Sequence, residues 1–237
     1  MRPHTLAQQN LALTKDQHGN TNSWEHVLEY PLRPFGYNGG YLMKSHVRAS
    51  LDEARAALEN LLASEATLEA IAEAGRLLSQ TLQGDGRVFS CGNGGSMCDA
   101  MHFAEELSGR YRLERRALAA TAISDPSHLS CVANDYGYEQ VFARYLEAHV
   151  RPGDCLLAIS TSGTSKNILA AAYVARERGV HILALTGKPD TPLGRIATVE
   201  ICTPGGRFAD RVQELHIKVI HILIELVERQ LFGETYT

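Results

Sequence analysis

The sequence predicts an α/β protein in which helices cover both faces of a central, parallel, five-stranded sheet. Three observations support this fold class. Short apolar runs alternate with segments of helical periodicity from about residue 87 onward. These runs are too continuous for strands with one exposed face, and they are typical of parallel sheets covered on both sides. An almost wholly apolar helix near the carboxyl terminus indicates either a large core or a subunit contact.

The composition excludes several classes of function. The chain has 237 residues, of which 44% are hydrophobic and 21% charged, as in globular proteins. Its net charge of −4 provides no basic surface for nucleic acid. No apolar run has the length of a membrane span, and the amino terminus lacks the apolar core of a signal peptide. Five scattered cysteines indicate reduced thiols, so we expect a cytoplasmic protein that binds neither nucleic acid nor membrane.

Residues 1–41 differ in composition from the rest of the chain. They are polar at first and then rich in proline, glycine and aromatic residues, and no helical or strand period persists in them. The segment is either a tail that packs through its aromatic side chains or an overlong gene start, since Met43 directly precedes the first regular helix. We expect it to be a dispensable extension, with residues 42–237 forming the functional domain.

Two helices are predicted ahead of the sheet. Leu51–Leu61 and Leu68–Leu82 carry apolar residues at spacings of three and four, and Gly84 and Gly86 end the second helix. Because neither helix is apolar all round, each is expected to pack one face onto a larger body.

The strands and helices of the sheet region follow in alternation. The predicted strands are Arg87–Cys91, Leu118–Ile123, Cys155–Ser160, His181–Thr186 and Val199–Thr203. The predicted helices are Ser96–Gly109, Tyr138–Val150, Ser165–Arg178 and Ala209–Leu231, with a turn-rich helical connection over residues 124–137. A five-stranded sheet cannot wrap a helix as apolar as the last one, so we expect that helix to form the core of an oligomer.

A glycine-rich turn follows the first strand and opens the next helix. Gly92, Gly94 and Gly95 permit close approach of a ligand to the backbone, and the free N–H groups of the helix favour an anion or polar group. The sequence GNGGS departs from GxGxxG, and no acidic residue ends the second strand, so a dinucleotide is disfavoured.

A second loop, STSGTS, follows the third strand and brings four hydroxyl groups to a helix start, those of Ser160, Thr161, Ser162 and Ser165. A helix cap with a tight turn would explain one or two of them but not four. Hydroxyls and backbone amides together can hold a phosphate without a lysine, so we expect a phosphate site here. No GK[ST] sequence follows, which excludes a nucleotide P-loop.

The third candidate site pairs two helices. His102 and Glu106 lie four residues apart and so share one helical face, as an acid/base or metal-ligand pair would. His221 interrupts the most apolar stretch of the chain, where a buried imidazole needs a carboxylate or metal partner. Gln213 lies eight residues before His221, about 12 Å along the helix axis. Gln213 and His221 could therefore bind one metal ion only if their side chains leaned towards each other. An arrangement in which a general acid and a polar ligand lie on either side of a substrate needs less distortion.

Lesser candidates are Asn134 and Asp135, which suit sugar hydroxyls. The arginines near the end of the His102 helix, Arg110, Arg112, Arg115 and Arg116, are interpreted as a solvated face, and His128 and His216 as core histidines.

Four segments, in this order, resemble the phosphoheptose isomerase family of the sugar isomerase (SIS) superfamily: SCGNGGSMCDAMHFAEELSGRY, AISDPSHLSCVANDYG, AISTSGTSKN and ADRVQELHIKVIHILIELVE. The resemblance extends from about residue 43 to the end. It implies a flavodoxin-like, three-layer fold, a homotetramer with sites between subunits, and one zinc per subunit. It also implies isomerisation of D-sedoheptulose 7-phosphate to D-glycero-D-manno-heptose 7-phosphate, the first step towards the heptose of lipopolysaccharide core or other glycans.

The same resemblance implies roles for individual residues. Glu106 matches the general base and His221 the general acid, and the family's metal ligands correspond to His102, Glu106, Gln213 and His221. The matching substrate contacts are Asn93, Gly94, Gly95, Glu106, Asn134, Asp135, Ser160, Thr161, Ser162, Ser165 and Gln213. Met97 departs from the family pattern, in which several members have a polar residue such as histidine. A carboxylate, an imidazole and a phosphate loop are sufficient for proton transfer through an enediol.

Three alternatives remain at this point. One is a non-catalytic SIS tetramer that binds a replication initiator, although such a protein would not need Glu106 and His221 together. Another is a domain that senses a sugar phosphate, which would usually accompany a DNA-binding domain. The last, an isomerase of another ketose phosphate, is the one that the sequence excludes least well.

Overall fold

The structure is a computed structural model that describes residues 39–233, with side chains from residue 42 onward. The chain divides at Met43 into two units, and the description below concerns the second, from Lys44. Helix α1 (Gly39–Leu62) begins four residues before the expected start at Met43, and α2 (Glu65–Gln83) follows it. The predicted boundary between residues 41 and 42 therefore lies within α1. Residues 1–38 lie outside the described part, so their dispensability stays a prediction.

The sheet has the five predicted strands, all parallel: β1 (Val88–Gly92), β2 (Ala120–Ala122), β3 (Cys155–Ser160), β4 (His181–Thr186) and β5 (Val199–Cys202). Their order is β2-β1-β3-β4-β5, the flavodoxin-like arrangement. The order reverses between β1 and β3, and ligands of such sheets bind at the carboxyl ends of the strands beside that reversal. The glycine-rich turn follows β1 and the STSGTS loop follows β3, so both predicted ligand loops flank this crevice.

Six helices are interleaved with the strands: α3 (Gly95–Ser108), α4 (Pro126–Tyr136), α5 (Ala143–His149), α6 (Lys166–Glu177), α7 (Pro192–Ile196) and α8 (Ala209–Leu231). The single helix predicted over residues 138–150 is wrong, because a 3₁₀ turn at Tyr138–Gln140 precedes the shorter α5. Helix α7 was not predicted. Pro192 opens it and the Thr191 hydroxyl accepts from the Gly194 amide, which stabilises one helical turn in a sequence that otherwise indicates a loop.

The sheet separates two apolar cores, as the alternation of β3 side chains requires. Leu157 and Ile159 point into a core with α1, α2, α3 and α8, whereas Leu156 and Ala158 point into one with α4 to α7. The fold thus has three layers, which confirms the predicted architecture. None of the helices within residues 39–233 is long and apolar enough to cross a membrane.

Burial of α8 corrects one expectation. Its central apolar residues are fully buried within one chain: Val219, Ile220, Leu223, Ile224 and Val227. Helix α8 packs against the sheet and also against α2 and α3. These two helices bury the apolar side chains of α8 that the sheet alone could not reach. The apolar character of α8 therefore does not require a second subunit.

His216 is the buried polar residue of α8 whose charge state bears on stability. Its side chain is fully buried, with Nε2 3.2 Å from the Thr186 carbonyl oxygen and Nδ1 without a partner among the described residues. Burial lowers the pKa of His216 to about 4, against the weaker opposing effect of the Thr186 carbonyl. The folded protein therefore holds this imidazole neutral over most of the acid range.

We expect this histidine to make the protein less stable as the pH falls from about 6.5 to about 4. In that window the unfolded chain takes up a proton at residue 216 that the folded chain does not, which lowers the free energy of unfolding by about 3 kcal/mol at most. Denaturant titrations of wild type and His216→Phe between pH 4 and 7.5 would measure how the free energy of unfolding depends on pH. The variant should show a shallower pH dependence, and parallel curves would contradict the prediction.

Candidate active site

Helices α3 and α8 bring three of the predicted catalytic or metal-binding side chains together within one chain. The Nε2 atoms of His102 and His221 lie 2.9 Å apart, and His102 Nε2 lies 3.5 Å from Glu106 Oε1. One donor atom from each of the three groups lies within 4.8 Å of the others. His102 and Glu106 are one turn apart on α3, as their spacing predicted, and α8 places His221 opposite them.

Neighbouring groups orient these imidazoles and favour the neutral form of His221. Desolvation, followed by the proximity of His102, lowers the pKa of His221, while the Glu106 carboxylate opposes this shift. The Tyr111 ring stacks on His221 with centroids 5.9 Å apart. His102 Nδ1 lies 3.3 Å from Glu105 Oε1, and a carboxylate on the second nitrogen is the usual partner of a metal-binding histidine.

The dimensions of the cluster suit a single metal ion. Zinc bonds of about 2.0–2.1 Å in tetrahedral geometry place neighbouring donor atoms about 3.3 Å apart. The observed distances of 2.9 Å and 3.5 Å lie on either side of that value. Two imidazole nitrogens and a carboxylate oxygen are also donors that zinc prefers. The third pair, His221 and Glu106, lies within 4.8 Å, so these side chains would have to move closer together to share a zinc ion.

Gln213 lies apart from this cluster. Its amide packs on Gly95, where an added Cβ would come within 2.7 Å of Nε2. Gly95 opens α3 two turns before His102, about 10 Å along the helix axis. In this structure Gln213 therefore faces the glycine-rich turn, and a larger residue at position 95 would have to displace its amide.

An amide pair ties the glycine-rich turn to the first turn of α6. Asn93 Nδ2 donates to Asn167 Oδ1 at 2.9 Å, and Asn167 Nδ2 donates back to Asn93 Oδ1 at 2.8 Å. The Tyr138 hydroxyl donates to the same Asn93 oxygen at 3.3 Å. Asn93, a predicted substrate contact, thus uses its side chain within the protein. Sequence reasoning missed Asn167 and Tyr138, since neither stands in a ligand-like pattern.

The STSGTS loop brings three of its four predicted hydroxyls together, at the carboxyl end of β3 and the start of α6. Ser160 Oγ lies 3.2 Å from Ser165 Oγ and 3.4 Å from Ser162 Oγ. Ser165 is the N-cap of α6 but its side chain caps no amide. Gly163 has φ +63° and packs on Thr191, so both its backbone and its surroundings exclude a side chain. The loop offers oriented hydroxyls and backbone amides to an anion.

Asn134 and Asp135 lie in the last turn of α4, and both are exposed. Asn134 Nδ2 donates to Asp135 Oδ1 at 2.8 Å, and the Cys131 thiol lies 3.6 Å from Asp135 Oδ2. The structure does not bring them against another candidate site residue in its described part. The end of α4 nevertheless lies near the glycine-rich turn, because Tyr138, three residues after Asp135, donates to Asn93.

Asp99 is a titratable residue near the cluster that sequence reasoning missed. Burial raises the pKa of its carboxyl to about 6, against the lowering effect of His102, and Oδ2 is buried without a hydrogen-bond partner in the described structure. The spacing of Asp99, His102 and Glu106, at i, i+3 and i+7, places all three on one helical face and was the available signal.

The arginine cluster does not form the expected solvated face at Arg115. That side chain is 2% exposed, and its Nε lies 2.8 Å from the Glu228 carboxylate, which is 1% exposed. Its other nitrogens donate to the carbonyl oxygens of Glu106, Leu107 and Gly109. Arg115 thus caps the carboxyl end of α3, directly behind Glu106, and joins it to α8.

Comparison with known proteins identifies the family of this chain. Residues 51–187 match the model of the SIS domain family. The chain is 55% identical over 185 residues to a phosphoheptose isomerase of Edwardsiella ictaluri, a match that covers 78% of this chain and 96% of that protein. A phosphoheptose isomerase of Aeromonas hydrophila is 56% identical over 185 residues, with the same coverage.

A solved structure leads to the same family. The structure of phosphoheptose isomerase GmhA from Neisseria gonorrhoeae superposes with a TM-score of 0.73 at 35% identity, over 78% of this chain and 98% of that one. Sequence identity, coverage and fold agree. The chain therefore belongs to the phosphoheptose isomerase family of SIS-domain proteins.

Proposed function

We propose that this chain converts D-sedoheptulose 7-phosphate to D-glycero-D-manno-heptose 7-phosphate, the first step of heptose biosynthesis for lipopolysaccharide core or other glycans. The observation that carries the proposal is the cluster of Glu106 and His221 with His102, formed within one chain of this family. A carboxylate base beside an imidazole is the pair that aldose–ketose isomerisation needs.

The reaction moves the carbonyl from C2 to C1. The Glu106 carboxylate removes a proton from C1 while His221 gives one to the C2 carbonyl oxygen, which forms the enediol. Glu106 then returns its proton to C2, the O1 hydroxyl loses its proton to His221, and the aldehyde forms at C1. Glu106 Oε1 and His221 Nε2 both face His102 Nε2. The other two atoms, Glu106 Oε2 and His221 Nδ1, are therefore assigned to these proton transfers.

The phosphate binds away from the reacting carbons. Ser160, Thr161, Ser162 and Ser165 hold it at the start of α6, and its binding energy positions C1 and C2 at Glu106. The backbone of Asn93, Gly94 and Gly95 contacts the sugar oxygens, together with Gln213, whose amide already lies at that turn. Asn134 and Asp135 contact the remaining hydroxyls.

His102, Glu106 and His221 would hold the zinc, and Gln213 would be the fourth ligand that the family resemblance implies. When bound, zinc stabilises the negative charge that develops on the substrate oxygens.

We further propose that the protein is a cytoplasmic homotetramer with sites at subunit interfaces. The exposed apolar side chains Met101 and Ile222 stand next to His102 and His221, and Val47 and Leu51 expose a second apolar patch on α1. Such patches are typical of subunit contacts. The five cysteines are free thiols, in keeping with a reducing compartment, and cell fractionation tests this location.

Removing the metal is expected to lower activity at least tenfold, and zinc to restore it, because two of the three ligands, Glu106 and His221, also serve the reaction. Metal content by mass spectrometry and turnover should be followed together through chelation and reloading. Light scattering on the same samples should show a tetramer of four 26.0 kDa chains. Loss of the tetramer with the metal would indicate that the metal acts in assembly, and loss of activity alone that it acts in catalysis. Full activity without metal would contradict the assignment.

An isomerisation assay over ketose phosphates of five to seven carbons tests the function itself. Sedoheptulose 7-phosphate is expected to be the preferred substrate. Preference for a shorter ketose would change the assigned substrate. Binding of sugar phosphates without turnover would favour the non-catalytic alternative, a SIS tetramer that senses a sugar phosphate or binds a replication initiator.

A further inference from the structure

A cavity of about 230 Å³ lies on the β4 side of the phosphate loop. Thr161 and Ser162 line one wall, Gly187 and Lys188 after β4 line another, and residues 206–209 with Val212 line the third. The cavity therefore shares two residues with the STSGTS loop. Its volume is slightly below the roughly 300–1,000 Å³ of pockets that hold drug-sized ligands, which suits part of a small phosphorylated molecule.

The phosphate loop has no available positive charge of its own. Its residues from Ser160 to Ser165 are neutral, and the adjacent Lys166 is neutralised by Glu139, whose Oε1 lies 2.8 Å from Nζ. A phosphate monoester carries nearly two negative charges at neutral pH. The chain as a whole carries a net charge of −4, which repels such an anion. Hydroxyls and amides can orient the phosphate, but long-range attraction has to come from another part of the protein.

Lys188 and Arg207 meet this requirement. Both line the cavity, and in residues 42–233 neither has a carboxylate partner. The Arg207 guanidinium lies over the Phe208 ring, 5.2 Å from its centroid, a contact that holds the group while leaving its donors available. Other cations near this edge are engaged, since Arg195 donates to the Asp190 carbonyl oxygen and Arg211 pairs with Glu53 and Glu214.

We propose that Lys188 and Arg207 attract the substrate phosphate to the STSGTS loop and so determine the preference for phosphorylated ketoses. The inference rests on the proposed function, which it deepens by naming residues for phosphate selectivity. Both cations are exposed and remote from the reacting carbons, so they act on substrate capture rather than on proton transfer. Their effect is screened by salt.

Binding of inorganic phosphate, measured by calorimetry on the intact protein, tests the proposal without requiring turnover. Lys188→Met and Arg207→Met are each expected to weaken phosphate binding about three- to tenfold at low salt, with the difference shrinking at high salt. Lys188→Arg should retain wild-type affinity. Arg178→Met is the matched control, because it removes an exposed positive charge at the opposite end of α6.

Steady-state kinetics complete the test. The two methionine variants should raise KM for sedoheptulose 7-phosphate by similar factors, leave kcat within about twofold, and leave kcat/KM for unphosphorylated sedoheptulose unchanged. Unchanged phosphate affinity in both variants, or an equal loss in Arg178→Met, would overturn the proposal. If salt-dependent phosphate binding behaves as expected but no ketose phosphate is isomerised, the proposed function fails while the phosphate-attracting role of Lys188 and Arg207 stands.

Discussion

Replacing Glu106 by glutamine is expected to lower kcat by a factor of about 10²–10⁴, because the amide has no basic oxygen to remove the C1 proton. The side-chain volume hardly changes, so the fold and the phosphate loop should be retained. Turnover of sedoheptulose 7-phosphate, calorimetric phosphate binding and metal content should be measured on the same preparation. Metal content is needed because Glu106 is also an assigned ligand, and a variant that keeps its metal isolates the loss of the base.

Glu105 supplies the matched control for this experiment. It is the adjacent carboxylate on α3, with a side chain that is 66% exposed and lies 3.3 Å from His102 Nδ1. Glu105→Gln should keep kcat within about tenfold, since it only orients His102. Retained turnover in Glu106→Gln, or equal losses in the two variants, would remove Glu106 from the role of base.

Replacing Arg115 by methionine is expected to lower the free energy of unfolding by about 3–5 kcal/mol, the usual cost of removing one member of a buried ion pair. The Glu228 carboxylate would stay buried, and the carbonyls of Glu106 and Leu107 would lose their donor. Denaturant titration at fixed protein concentration measures the effect. Activity should fall as well, because Arg115 supports the end of α3 that carries Glu106.

Arg112 is the control for the buried pair. Its side chain is 50% exposed and lies 2.8 Å from Glu225, so Arg112→Met should cost about 1 kcal/mol or less. The double variant Arg115→Met/Glu228→Leu should recover part of the loss, because an apolar pair also removes the buried carboxylate. A single Arg115→Met variant as stable as Arg112→Met would show that the pair contributes little.

Local patterns in the sequence determined the elements and the residue types of the site. The continuous apolar runs predicted all five strands, and the bounds of α8 agree with its periodicity. The spacing of His102 and Glu106 determined that they share a face, and the hydroxyls from Ser160 to Ser165 had to meet at a helix start. Helical and strand periods depend on the backbone alone, so they can be read without knowing what packs against them.

Only the tertiary structure decided which of these faces meet. It placed His221 against His102 within one chain, Gln213 against Gly95, and Asn93 against Asn167. It also buried Arg115 through a carboxylate 113 positions away in the chain, where the sequence indicated a solvated face. Burial and pairing of a polar side chain depend on a partner that is distant in the chain, and local periodicity does not encode that partner. For that reason only the packing of α3, α6 and α8 revealed these contacts.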